Sequence, residues 1–153
     1  CETNYAALGD SRLIRVSPTG AGARDTIVLT GVRSATGILV VGNSAFVSSG
    51  GIADFSQFPN TRFVEPARVV KVDLAARRVV RTIDVAPVSN GGGARLGADG
   101  RLYFATALST DYQTRGVFAL DQDLNYVGTR VTGGNQLALR LAEHRRGFSS
   151  ADA

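Results

Sequence analysis

Two sequence motifs occur more than once along this 153-residue chain, in the same order and at nearly the same period. The first motif reads RLIRVS from Arg12, RVVKVD from Arg68 and GVFALD from Gly116, so its copies begin 56 and 48 residues apart. The second motif reads ATGILVVGNSAFVSS at 35–49 and GGARLGADGRLYFATA at 92–107. Self-similarity of this kind is typical of repeat architectures, in which one supersecondary unit is built several times.

Each motif predicts a β-hairpin. Runs rich in Val, Ile, Leu, Tyr and Phe are separated by short turn signals, Gly42–Asn43 in one copy and Ala98–Gly100 in the next. One unit then has four strands, named a to d here. We predict them at Gly37–Val41, Ala45–Ser49, Arg68–Asp73 and Val79–Val85, and again at Gly93–Leu96, Arg101–Ala105, Gly116–Asp121 and Tyr126–Val131. A c–d pair alone, Arg12–Ser17 and Thr26–Thr30, precedes them.

Four antiparallel strands in about 45–55 residues are typical of a β-propeller blade. The segment VVKVDLAARRVVRTIDV and the following GARLGADGRLYFAT resemble the YVTN and NHL-like propeller repeats. In those repeats a Val-rich strand ends in Asp and a later hairpin reads P-D-G-x-L-Y-V, and here Asp73, Ala98–Gly100, Leu102 and Tyr103 stand at the matching places. The resemblance extends from Arg12 to about Val131. It implies an all-β, β-propeller-like fold of four-stranded antiparallel blades.

The chain is too short to close such a ring, because a propeller needs at least about four blades and we count about two and a half. We predict an N-terminal tether at 1–11, propeller-like repeats at 12–134 and a C-terminal tail at 135–153. The tail reads either as a short amphipathic helix or as the start of a next strand a. The chain is then a piece of a longer propeller, one of several copies in a ring or filament, or a small sandwich or barrel. We favour an incomplete ring completed by another polypeptide, since uncovered edge strands promote aggregation.

Strand parity places the longest loops on one face of the repeat, opposite the tight a–b and c–d turns. The loop GGIADFSQFPNTRFVEP is the longest of them, and long loops on a rigid scaffold commonly carry binding groups. The candidate binding-face residues on this loop and on the next b–c loop are Asp54, Phe55, Phe58, Arg62, Phe63, Glu65, Tyr112 and Arg115. The alternative is that the Phe side chains fold back to cover the edge of a blade.

Charge and cysteine content restrict the class of protein. The net charge is +4, but the Arg residues are scattered among Asp and Glu, Lys71 is the sole Lys, and no nucleic-acid-binding motif accompanies them. No stretch approaches the roughly 20 apolar residues of a membrane-spanning helix. Cys1 is the sole Cys and precedes a polar run, as in a mature bacterial lipoprotein, so we expect lipidation of Cys1 and an extracytoplasmic location. An ordinary cysteine at this position is the alternative.

Motifs for metal binding and catalysis are incomplete. Asp121, Asp123 and Asn125 have the D-x-D-x-N spacing that begins many calcium loops, but Tyr126 stands in place of the turn Gly and Thr132 in place of the bidentate Glu. We therefore expect a polar c–d turn and no cofactor, with calcium bound by Asp121, Asp123 and Asn125 as the alternative. A Ser-His-Asp triad would need His144, the sole His, which stands beside Glu143 and Arg145 in the tail.

The sequence favours a non-enzymatic, extracytoplasmic protein that binds or assembles through its propeller-like repeats. The expected partner is a protein, either a second copy or the missing blades of a longer chain. One alternative is a propeller enzyme of the lactonase or quinoprotein type, dependent on calcium or a quinone, with Asp54, Glu65 and Asn90 as the nearest candidates. Another is a structural subunit that self-assembles by adding strands to its neighbour.

Overall fold

The computed structural model of the protein describes residues 9–16, 25–56, 62–85, 94–107 and 114–133. Across these ranges the chain forms antiparallel β-sheet, and no residue in them is helical. The strands are β1 (Ser11–Arg15), β2 (Asp25–Leu29), β3 (Ala35–Val41), β4 (Ser44–Ser49), β5 (Ile52–Asp54), β6 (Arg62–Glu65), β7 (Ala67–Asp73), β8 (Arg78–Val85), β9 (Arg95–Leu96), β10 (Leu102–Ala107), β11 (Thr114–Leu120) and β12 (Tyr126–Gly133).

Two four-stranded sheets contain most of these strands. The second sheet along the chain has the order β3-β4-β7-β8, and the third has the order β9-β10-β11-β12. The first sheet is the hairpin β1–β2. The predicted all-β class with antiparallel four-stranded sheets is thereby confirmed, and every predicted strand begins and ends within two residues of an observed one. The described sheets form no closed ring.

The second sheet is covered on both faces, which explains the consecutive buried valines Val69 and Val70 of strand β7. Val69 points toward the third sheet, whereas Val70 and Val72 point toward the first. All three are at most 1% exposed. Because successive side chains on a strand alternate between faces, a strand buried on both sides needs apolar residues at consecutive positions.

An aromatic cluster fills the space between the second and third sheets. Phe46 and Val69 from the second sheet meet the Phe104 and Phe118 rings of the third, which stack with their centroids 4.8 Å apart and 4° between their planes. Burying each such ring contributes about 1.5–3 kcal/mol. Leu120 and other buried apolar residues complete this core. The two sheets are therefore held face to face by side chains rather than by backbone pairing.

A second, aliphatic core lies between the hairpin β1–β2 and the second sheet. Leu29 and the following Val32, each 1% exposed, pack against Ala45, Val47 and their neighbours on the second sheet. Successive sheets thus stack in chain order, each on the one before it.

In the second and third sheets, the c–d turn begins with an aspartate that accepts backbone hydrogen bonds, at equivalent positions of the sequence repeat. Asp73 accepts hydrogen bonds through Oδ1 from the backbone N–H groups of Ala75 and Ala76, both at 2.9 Å. Asp121 likewise accepts from the N–H groups of Asp123 and Asn125, at 2.9 and 2.8 Å. Aspartate favours turns because its side chain satisfies backbone donors two residues further on.

The b–c segment at 50–66 differs from the predicted loop. Its ends form a separate two-stranded sheet, β5–β6, in which Ala53 pairs with Phe63 and Asp54 with Arg62. Gly51 makes this hairpin possible: it has a φ of +73°, and a Cβ there would lie 2.6 Å from the Glu65 carbonyl oxygen.

Both termini of the chain lie beyond the described residues. Cys1, most of the predicted tether and the predicted tail at 135–153 with His144 belong to these parts. The first described strand, β1, begins at Ser11, whose backbone N–H donates to the Val32 carbonyl oxygen at 2.7 Å. No helix in the described part of the chain is long and apolar enough to cross a membrane.

Candidate functional site

The β5–β6 hairpin carries five of the predicted binding-face residues. Asp54 ends β5 and Phe55 follows it, and Arg62 and Glu65 lie at the two ends of β6. Phe63 is also in β6, where only its backbone is described. The folding of 50–66 into a hairpin therefore gathers these residues on one small sheet.

Two polar contacts fix the base of this hairpin, one to the β2–β3 connection and one to the end of β4. Glu65 forms a salt bridge of 2.5 Å with Arg33, and its side chain is 17% exposed. Ser49 is 4% exposed, and its hydroxyl donates to the Arg33 carbonyl oxygen at 2.7 Å and accepts the Gly51 N–H at 3.2 Å. Glu65 and its surroundings thus position the hairpin.

Asp54, Phe55 and Arg62, at the described end of the hairpin away from its base, are exposed. Asp54 accepts the Ser56 backbone N–H at 2.9 Å, and this hydrogen bond, with a smaller contribution from Arg62, holds the pKa of Asp54 below its usual value. Phe55 is 49% exposed. An exposed aromatic ring next in sequence to an ionised carboxylate, whose cross-strand partner is Arg62, suits contact with a polypeptide surface.

Of the remaining predicted binding-face residues, Arg115 alone lies in the described ranges. Arg115 lies near the start of β11, at the b–c end of the third sheet, with only its backbone described. Phe58, Tyr112 and Asn90 lie outside the described residues. The prediction that Tyr112 and Arg115 share a binding face with the hairpin stays a prediction.

The D-x-D-x-N segment forms a turn that connects two sheets. Asp121 uses both carboxylate oxygens within the turn, and the hydrogen bond from the Asn125 backbone is the main reason that its pKa is lowered. Asp123 pairs with Lys71 of β7 at 2.7 Å. Arg81 of β8 donates to the Asp123 carbonyl oxygen at 2.5 Å and to Asn125 Oδ1 at 2.9 Å. These oxygens therefore tie the third sheet to the second.

In the described ranges, this turn included, no group of three or more His, Cys, Asp and Glu residues is placed to hold a metal ion. Asp54 and Glu65, two candidates for the enzyme alternative, are occupied by Ser56 and Arg33 respectively.

An apolar surface that the sequence did not single out lies beside the first sheet. Ile38 and Val40 pair with Val47 and Ala45, so they share the face of the second sheet that the β1–β2 hairpin covers. The hairpin does not reach them: they are 51% and 54% exposed. Their neighbours Leu39 and Val41, on the opposite face, pack against the third sheet.

A cleft of about 280 Å³ opens at this surface, between the first hairpin and strands β3 and β4. Leu13, Leu29, Ile38 and Val47 line it together with Arg12. The outer face of the same hairpin carries three further exposed apolar residues, Ile14, Val16 and Val28. We call the exposed residues of β3 and this cleft the open apolar face. Apolar groups grouped in this way commonly mark an interaction site.

In comparisons with known proteins, no family, curated protein or solved structure matches the chain. The resemblance to YVTN and NHL-like repeats stays a prediction.

Proposed function

We propose that this chain is a non-enzymatic scaffold of propeller-type repeats that binds or assembles with another polypeptide outside the cytoplasm. The proposal is supported by the recurrence of one strand order, a-b-c-d, in successive sheets that stack face to face. Stacked sheets of this kind are the unit from which propeller rings are built. Lipidation of Cys1 belongs to the same proposal.

The observation that carries the proposal is the open apolar face beside an unpaired strand edge. Within the described ranges β1 hydrogen-bonds to β2 alone, whereas the equivalent strands β7 and β11 each have a neighbour on both sides. Among the residues that the structure describes, no strand pairs with the outer edge of β1, and this edge together with the exposed Ile38 and Val40 forms a surface that a further β-strand fits.

The mass of the purified full chain in solution tests the proposal. We expect size-exclusion chromatography with light scattering to give a mass above the 16.0 kDa of one chain, and the variant Val40→Asp to lower it. Val80→Asp is the matched control, since Val80 is 50% exposed on β8, away from the open apolar face. A monodisperse 16.0 kDa species that retains no partner contradicts the proposal.

A further inference from the structure

We propose that the outer edge of β1 binds an extended strand of a partner polypeptide whose side chains follow a fixed order: aromatic, apolar, small, hydroxyl-bearing. This inference rests on the polypeptide-binding function proposed above and names the chemistry of the partner. The receiving site is that edge, with which no described strand pairs, together with the open apolar face beside it.

Both four-stranded sheets show what kind of strand this edge accepts. Strand β4 pairs with β7 in the second sheet, and β10 pairs with β11 in the third, antiparallel in each case. Strands β7 and β11 contain the same sequence motif as β1. Strands β8 and β12, which follow them, have no further neighbour among the described strands. An added strand is therefore expected beside β1 rather than beside β2.

The position opposite Ile14 is apolar. Ile14 is equivalent to Val70 and Phe118, which pair with Val47 and Phe104. Both residues of each pair are at most 5% exposed, whereas Ile14 is 51% exposed. An apolar residue of the partner would cover part of Ile14, because directly opposite side chains on paired strands contact each other.

The position opposite Arg15 is aromatic. Arg15 is equivalent to Lys71 and Ala119, which pair with Phe46 and Tyr103. The side chain of Arg15 is 83% exposed. Cationic side chains pack on the faces of aromatic rings, so an aromatic residue of the partner suits this position.

The aromatic ring at this position points toward the cleft. Leu13 packs against the core between the first and second sheets, and Arg15, two residues further along the strand, shares its face. A residue opposite Arg15 therefore points toward the second sheet, where Ile38 and Val40 are 51% and 54% exposed. The cleft has a volume of about 280 Å³, and an apolar cavity of about 150 Å³ is large enough to bind benzene. An aromatic ring fits the cleft and would cover Ile38.

The two remaining positions, opposite Leu13 and Arg12, take small side chains, the second with a hydroxyl group. The equivalent pairs are Val69 with Ser48 and Val117 with Ala105, then Arg68 with Ser49 and Gly116 with Thr106. Together the four positions define the side-chain order that Phe46–Ser49 and Tyr103–Thr106 share.

The partner is a separate polypeptide rather than a described strand of a second copy. Strands β4 and β10 have this side-chain order, but each already pairs with a strand on both sides. Donating either of them to a second copy would break a four-stranded sheet and expose its apolar core to water, which is unfavourable.

Disulfide cross-linking with synthetic peptides tests the edge and the register. The protein carries Cys1→Ser and Ile14→Cys, and the probe is a peptide of residues 101–107, RLYFATA, with Phe104→Cys. Directly opposite residues on paired strands lie close enough for a disulfide. The full chain is refolded from urea with excess peptide in a mixture of reduced and oxidised glutathione, which allows thiol–disulfide exchange to reach equilibrium. We expect mass spectrometry to detect the protein–peptide disulfide.

A peptide of the same composition is the first control. It exchanges Tyr103 and Thr106, which moves the ring to the opposite face of the added strand and away from the cleft. Because burial of an aromatic ring is sufficient for about a tenfold change in binding, we expect about tenfold less linked product. The second control replaces Ile14→Cys by Thr26→Cys. Thr26 is exposed and pairs with Ile14, but it lies one strand further from the edge, so we expect at least as large a reduction.

Equal amounts of linked product from the two peptides overturn the side-chain order, and equal amounts from Ile14→Cys and Thr26→Cys overturn the choice of edge. The absence of linked product with either peptide also overturns the inference. If the native mass of the chain is then above 16.0 kDa, the assembly function proposed above still stands. If the chain is a 16.0 kDa species that retains no partner, both fail.

Discussion

Val70 and Val80 are the same residue type in opposite environments, which makes them a direct test of the stacked arrangement. Val70 is fully buried between the first and second sheets, whereas Val80 is 50% exposed. We expect Val70→Ala to lower the free energy of unfolding by about 2 kcal/mol, because it leaves a cavity, and Val80→Ala to change it by less than about 0.5 kcal/mol. Urea denaturation of both variants measures the difference. Equal costs would show that the first hairpin does not cover Val70.

Asp121 gives the c–d turn a pH-dependent stability. Its folded-state pKa is lowered mainly by the hydrogen bond from the Asn125 backbone, and the unfolded pKa is about 3.9. The stabilisation is therefore fully present above about pH 3.9 and is lost as the pH falls through the lower folded-state pKa. We expect the stability difference between the wild type and Asp121→Asn to shrink over that acidic window.

Thermal unfolding from pH 6 to pH 2 measures this effect, with Asp123→Asn as the comparison. Asp123 is 78% exposed at its side chain and pairs with Lys71 rather than capping the turn. A stability difference for Asp121→Asn that stays constant across the acidic range would contradict the assigned role of the carboxylate.

At the scale of single elements, the β5–β6 hairpin depends on one glycine. Gly51 combines a φ of +73° with backbone atoms of Glu65, Pro66 and Ala67 within 2.9 Å of where a Cβ would stand. We expect Gly51→Ala to cost at least about 2 kcal/mol, since both the conformation and the close approach are lost. Urea denaturation, with hydrogen exchange at Ile52–Asp54, reports the loss.

The variant Gly42→Ala separates the cost of the backbone conformation from the cost of the close approach. Gly42 has a φ of +56° in the β3–β4 turn, but no atom lies within 4 Å of its missing Cβ. Its substitution is expected to cost roughly 1–2 kcal/mol from conformation alone. If Gly51→Ala cost no more than Gly42→Ala, the close packing around Gly51 would not contribute to the stability of the hairpin.

The same elements show how far the sequence could predict this fold. Strands β3 and β4 were predictable because apolar runs flank a Gly-Asn turn, and β7 because its valines precede a turn-capping Asp73. The β5–β6 hairpin was not predictable: its strands have three and four residues, and its base relies on Arg33, far away in sequence. Short strands held by distant partners leave almost no local signal.

At the scale of the whole molecule, the sequence predicted that the repeats have uncovered strand edges. It did not predict which residues are exposed there. The run Gly37–Val41 is apolar on both faces, so its composition cannot show that Leu39 is covered while Ile38 is exposed. That distinction arises from the neighbouring sheet, which is complete on one side and a two-stranded hairpin on the other. In a stacked repeat, the burial of a strand face depends on the adjacent sheet, because each repeat contacts only its neighbours.

Ile14, on the outer face of the first hairpin, tests whether association covers this end of the stack. If a second copy covers it, the folded state is stabilised by mass action, and the thermal midpoint rises with protein concentration. We expect Ile14→Asp to abolish that dependence, because Ile14 is 51% exposed in the single chain and a buried carboxylate opposes association. Val80→Asp, on an equally exposed valine of β8, is expected to preserve it. A wild-type midpoint that stays constant over a hundredfold concentration range would show that the open end of the stack has no partner copy.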